Sequence, residues 1–202
     1  SVDRIAMVGV VGNLMLWAAG HDIGEGNREF IRQSLGDAFE ETWADSQNIV
    51  SEHQNLLFLP SDLAVEVDGK RMNIGIDDLP TKYPIYDIGL DTMMRMRPLI
   101  MEANCLLWNG PASYFEKSEF AQGTIEIMNM FTEAQGVTIV GGGHTSALFN
   151  QRGKASEVSH NSTGGGSVLT MLSGGTMPVF DSLERSHEKF RPLLRSLGMS
   201  KE

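Results

Sequence analysis

Val137–Thr145 reads VTIVGGGHT, and some twenty residues on Ser159–Gly166 reads SHNSTGGG. The first stretch opens on a β-branched run that predicts a strand over Val137–Val140, breaks into Gly141-Gly142-Gly143, and continues into helix-compatible residues after His144. The second repeats that order, with a strand predicted over Glu157–His160 and a helix from about Gly165 to Leu172. Two strand–glycine–helix junctions so close together predict neighbouring loops at one edge of a parallel sheet. Bare backbone N–H groups and a helix N-terminus in such loops hold phosphate. Three glycines after a strand permit positive φ and close backbone approach, and Thr145 can cap the helix or donate its hydroxyl. A flexible connection explains one such triplet as well as a phosphate loop does, but it explains two poorly. Neither triplet is followed by Gly-Lys-Ser/Thr, and neither has the G-x-G-x-x-G order, so the pattern indicates phosphate without saying which one.

The rest of the chain alternates strand and helix around these junctions. Arg4–Val8 predicts a strand running into Gly9 and Gly12, with Asn13 as the cap of a helix that Gly20 ends. Asn27 is a second predicted cap, with Phe30, Ile31, Leu35, Phe39 and Trp43 at helical spacing and Gly36 a possible break. Leu56–Pro60 is a buried-strand run, and Leu63–Ile76 alternates about Asp68-Gly69 as a hairpin does. Ile85–Ile88 predicts a brief strand, followed from about Asp91 by a helix that Pro98 should kink or restart. Cys105–Trp108 predicts a buried strand, Ala121–Ala134 a helix with Ile125, Met128 and Phe131 on one face, and Phe180–Leu197 an amphipathic helix with Leu183, Phe190 and Leu194 inward. The expected fold is therefore α/β: one three-layer, Rossmann-like domain spanning residues 1–202. Its sheet is mostly parallel with helices on both faces, and a small antiparallel hairpin lies at one edge. Ligands of such sheets sit at the carboxyl ends of strands, which directs attention to the loops after Val8, Trp108, Val140 and His160.

Composition narrows the function. With 16 Lys and Arg against 26 Asp and Glu, the net charge of −10 disfavours nucleic acid and anionic membrane as partners. An anion bound here must be met by backbone dipoles and metal rather than by a basic surface. Apolar runs are broken by charge, Gly or Pro too soon to span a membrane, and the first residues lack the pattern of a secretory signal. The lone Cys105 excludes a disulfide framework and fits a reducing, cytoplasmic setting. His21, His53 and His187 lack ligand spacing, so no metal site is assigned. The twelve methionines fall mostly on predicted helix faces and read as core filling.

Trp108-Asn109-Gly110-Pro111 followed by Tyr114-Phe115-Glu116 is a rigid turn carrying aromatics and one acid. Glu116 could accept hydrogen bonds from ribose hydroxyls while Pro111 and Tyr114 pack on a base. The competing account is a surface loop whose aromatics fold inward. His144, beside glycines, is a phosphate donor, a general acid or a structural cap. His160, ending a strand, is expected to be buried and hydrogen-bonded.

At these residues the sequence resembles the C-terminal, nucleotide-binding half of phosphoglycerate kinase, its archaeal branch in particular. The resemblance rests on WNGP…YFE (Trp108–Glu116), TIVGGGHT (Thr138–Thr145) and VSHNSTGGGSVLTMLSGGTMP (Val158–Pro178), supported by LPSD (Leu59–Asp62), DIG (Asp87–Gly89) and the opening segment. It implies reversible phosphoryl transfer between 1,3-bisphosphoglycerate and ADP, giving 3-phosphoglycerate and ATP, with magnesium. It further implies base and ribose against Gly9, Asn109, Pro111, Tyr114 and Glu116, and phosphates against Gly141, Gly142, Gly143, His144 and Thr145. The glycines matched by Gly164, Gly165 and Gly166 open a helix that faces the group in transfer. His144 stands where many members carry a metal-reaching aspartate, and Val8 where a glycine is usual. The 3-phosphoglycerate pocket belongs to an N-terminal half expected upstream. A stand-alone, non-catalytic nucleotide-binding module is the alternative.

Overall fold

The computed structural model describes residues 2–196. The chain begins with β1 (Ile5–Ala6) and turns at Val8 into α1 (Gly9–Ala18). This helix starts four residues before Asn13, because the Gly12 N–H already bonds the Val8 carbonyl at 3.1 Å. Asn13 is thus inside the helix and not its cap. The next helix, α2 (Glu25–Leu35), likewise starts ahead of the expected Asn27 cap, at Gly24 (φ 87°). The Asn27 side chain instead ties α2 to the segment before the fifth strand. Its amide donates to the Ile23 and Tyr83 carbonyls at 2.9 and 3.1 Å and accepts from the Ile85 N–H at 3.0 Å. A 3-10 turn at Gly36–Ala38 separates α2 from α3 (Phe39–His53), and β2 (Leu57–Phe58) then pairs parallel with β1.

The Asp68-Gly69 turn joins β3 (Asp62–Val67) to β4 (Lys70–Gly75) in a hairpin. Asp68 (φ 49°) and Gly69 (φ 77°) both adopt the left-handed conformation that such a turn needs. A third strand, β5 (Ile85–Ile88), adds to β3 antiparallel, so the antiparallel part is larger than a hairpin. Leaving β5, the chain enters α4 (Leu90–Glu102), which runs through Pro98 without interruption. Its N-terminus is capped from across the fold: the Asp62 carboxylate accepts from the Asp91 and Thr92 N–H groups at 3.0 and 2.7 Å. Gly89 allows this, since a Cβ there would overlap the Asp62 carboxyl group.

The parallel layer is β6 (Cys105–Asn109), β7 (Val137–Gly141) and β8 (His160–Asn161), in the order β6-β7-β8, with α5 (Gln122–Glu133) and α6 (Gly143–Gln151) in the crossovers. β6 is an edge strand in which only Trp108 is buried and Cys105 is exposed, against the expectation of a buried strand. β8 is shorter than predicted, because a 3-10 turn takes Ala155–Glu157. Reciprocal bonds between Ser159 and Thr138 side chains and backbones, 3.0 and 3.1 Å, hold β8 in register instead. His160 is exposed, not buried. Last come α7 (Gly165–Leu172) and α8 (Pro178–Ser196). In α8, Leu183 and Phe190 are exposed and Leu194 is half-buried, so the stripe predicted to face inward lies outside both cores. Periodicity identifies an apolar face but not what covers it. Two cores result. One packs Trp108, Phe131 and Phe149 with Met93 and Met96 of α4 and Met128 and Met130 of α5; the other packs α1 and α2 on β3. The architecture is α/β and Rossmann-like. No helix among the described residues is long and apolar enough to cross a membrane.

Candidate functional site

Parallel register sets the site. Asn109 pairs with Gly141 and Val140 with Asn161, so the loops after β6, β7 and β8 leave the sheet at one edge. The two glycine triplets then meet backbone to backbone. A Cβ on Gly165 would lie 2.5 Å from the Gly142 nitrogen and 2.6 Å from its Cα, and would also strike the Asn109 carboxamide. Cβ atoms on Gly141 or Gly142 would each come within 3.2 Å of the same carboxamide. Gly142, at φ 95°, is the residue before α6. Gly143 and Gly166 differ from these: a Cβ at either would meet only open space. No packing among the described residues demands glycine there, and both positions are exposed.

What lies outside is a cavity of about 250 Å³ lined by Asn109, Pro111 and residues of both glycine loops. Gly142, Gly143, His144 and Thr145 form one side; Gly165 and Gly166 form the other. Gly141 is buried beneath as the last residue of β7, and Gly164 precedes α7, so neither reaches the wall. Thr145 does not cap α6. Its hydroxyl oxygen is buried and finds no hydrogen-bond partner among the described residues, an unusual state for a hydroxyl beside a cavity. His144 is exposed in the first turn of α6, two residues past its N-cap Gly142, and so is not the capping residue. The wall holds no Lys, Arg, Asp or Glu. Attraction for an anion rests on the free first-turn N–H groups of α6 and α7 and their dipoles.

Pro111 also lines a second, larger cavity of about 680 Å³. Gly9 borders it at φ 63°, and a Cβ there would come within 2.9 Å of the Pro111 carbonyl. Tyr114 and Glu116 are on the same wall, both exposed. The aromatic pair of the turn divides: Phe115 packs against the core while Tyr114 stays on the cavity, its ring 5.3 Å from Tyr86 and its N–H on the Tyr86 carbonyl at 2.7 Å. Asp87, also on this wall, is the buried link between layers. It accepts from Arg71 at 2.5 Å and from the Gly123 N–H at 2.9 Å. Burial pushes its carboxyl up to about 6, against the lowering pull of Gly123, Arg71 and Ile88. The loop behind Glu116 is pinned by Lys117, which bonds Glu66 at 2.6 Å and lies over the Tyr86 ring. Sequence reasoning missed Asn13, Tyr86 and Thr163 as wall residues. Thr163, next to the second triplet, was legible from position; Asn13 and Tyr86 carried no signal.

The family model for phosphoglycerate kinase matches residues 1–175. Phosphoglycerate kinase of Thermoplasma acidophilum is 36% identical over 189 residues, covering 94% of this chain and 46% of its own length. That of Archaeoglobus fulgidus is 37% identical over 182 residues, covering 90% and 44%. The crystal structure of phosphoglycerate kinase from Pyrococcus horikoshii OT3 superposes with a TM-score of 0.85 at 32% identity, over 94% of this chain and 47% of that one. The Coxiella burnetii enzyme gives 0.68 at 30% identity, over 87% and 45%. The chain belongs to the phosphoglycerate kinase family. It spans about half the length of the relatives it matches.

Proposed function

We propose that this chain is the nucleotide-binding domain of a cytoplasmic phosphoglycerate kinase, catalysing reversible phosphoryl transfer between 1,3-bisphosphoglycerate and ADP. The observation that carries the proposal is a two-part site made of separate cavities that share Pro111 in their walls. Its large, mainly apolar part suits a base and ribose, with Pro111 and Tyr114 against the base and Glu116 accepting from ribose hydroxyls. Its small, uncharged part suits phosphates, with Gly143 and Gly166 bare at the points of approach and Thr145 offering an unpaired hydroxyl. Phosphoryl transfer is chiefly positioning and charge stabilisation, and two converging helix N-termini supply both. Magnesium fits this chain only as the nucleotide's own counterion. Among the described residues no three His, Cys, Asp or Glu side chains gather, and the phosphate-facing wall has no carboxylate. The phosphoglycerate substrate would be held by the part of such enzymes that this chain does not cover.

Calorimetry with ADP tests the reading. The chain should bind ADP without turning over 1,3-bisphosphoglycerate, and Glu116→Ala should weaken binding by about 1–2 kcal/mol. Absence of ADP binding by the folded chain would refute the proposal; unchanged affinity in the variant would remove Glu116 from it.

A further inference from the structure

Asn13 has no capping duty, because α1 begins one turn earlier. It shares a helix face with Gly9 at the i, i+4 spacing, and both border the larger cavity. Gly9 in turn backs directly onto the Pro111 carbonyl. The wall contains two carboxamides with different fates. That of Asn27 is fully engaged with Ile23, Tyr83 and Ile85. The half-buried Asn13 side chain makes no hydrogen bond to the protein among the described residues. Asparagine is a poor helix-interior residue, and a half-buried amide in a mainly apolar wall has no evident structural purpose.

We infer that Asn13 reads the hydrogen-bonding edge of the nucleotide's base, an inference that rests on the nucleotide-binding function proposed above. The phosphates occupy the small cavity and Pro111 marks the junction, so a base packed at Gly9 and Pro111 presents its far edge one helical turn along α1, at Asn13. A carboxamide offers both a donor and an acceptor. It matches the amino group and N1 of adenine, and with the amide turned over it matches O6 and N1–H of guanine. Asn13 is thus a specificity residue that admits both purines. An aspartate in its place would only accept, which suits the paired N1–H and amino donors of guanine and opposes N1 of adenine.

The test is calorimetric titration of wild type, Asn13→Leu and Asn13→Asp with ADP, GDP and ribose 5-diphosphate, which lacks the base. Wild type should bind ADP and GDP within about fivefold of each other. Asn13→Leu should weaken both by about tenfold and leave the abasic ligand unaffected, and Asn13→Asp should shift the ratio toward GDP by about tenfold. Without ligand, the leucine variant should melt no lower than wild type, because leucine is the better helix former. Equal ADP affinity in wild type and Asn13→Leu, or equal weakening of the abasic ligand, would overturn the inference while nucleotide binding stands. Wild type that binds none of the three would overturn the nucleotide assignment itself.

Discussion

Gly165→Ala and Gly166→Ala alter adjacent residues in one triplet, and the structure assigns them opposite consequences. At Gly165 the new methyl would lie 2.5 and 2.6 Å from the backbone of Gly142, against carbon contacts of about 3.5–4.0 Å in a relaxed interior. Backbone cannot rotate away, so one loop must shift, at about 1–3 kcal/mol for an overpacked site. Alanine recovers about 0.5–1 kcal/mol through its lower chain entropy in a helix. The net loss is about 1–2 kcal/mol, a fall in melting temperature of about 3–6 °C for a chain of this size. At Gly166 the methyl meets nothing within 4 Å, so only the favourable contribution remains and the melting temperature should rise by about 2 °C. Yet ADP should bind Gly166→Ala at least tenfold more weakly, by about 1.4 kcal/mol, if phosphate approaches that Cα. Thermal melts followed by near-ultraviolet circular dichroism, with and without ADP, separate the two. A Gly165→Ala variant that melts with wild type, or a Gly166→Ala variant that loses comparable stability, would refute the division between glycines that pack and glycines that admit a ligand.

Two further outcomes follow from the same geometry. The Asp87 carboxyl titrates near 6 in the folded protein, above its ordinary value of 3.8, so the folded state binds this proton more tightly than the unfolded chain. Its contribution to stability is therefore full below about pH 4 and is lost as pH rises through about 6. The stability of wild type relative to Asp87→Asn, from urea titrations, should fall as pH rises across that window, and a difference independent of pH would contradict the assignment. If its ring meets phosphate, His144→Ala should weaken ATP binding by about 1.5–3 kcal/mol, and it should not lower the melting temperature because the ring is exposed; unchanged affinity would remove His144 from the site.

Much of the layout was legible because the signals were local. The glycine triplets, the Asp68-Gly69 turn and the β-branched run at Val137–Val140 each specify backbone over a few residues. Failures came where long-range partners decide. Asn13 and Asn27 have cap chemistry, but each helix starts earlier than its asparagine, and the Asn27 amide is claimed by residues 23, 83 and 85. Asp62 gave no sign of capping a helix 29 residues away. His160 and Leu183 show that an apolar or ring-bearing residue at the right phase is not thereby covered. In the site, residue types pointed to two glycine loops beside a sheet edge, whereas which glycines touch each other and which face open space depends on how β6, β7 and β8 align.

The Asn109 carboxamide, lodged against Gly141, Gly142 and Gly165, makes three segments spread over more than fifty residues into one unit of inheritance. Recombination that exchanges one of them between homologues brings in a loop shaped for a different neighbour. Chimaeras with crossovers between Asn109 and Gly165 should therefore fail more often than those cut upstream of β6, and successful grafts of a glycine loop should carry the end of β6 with them.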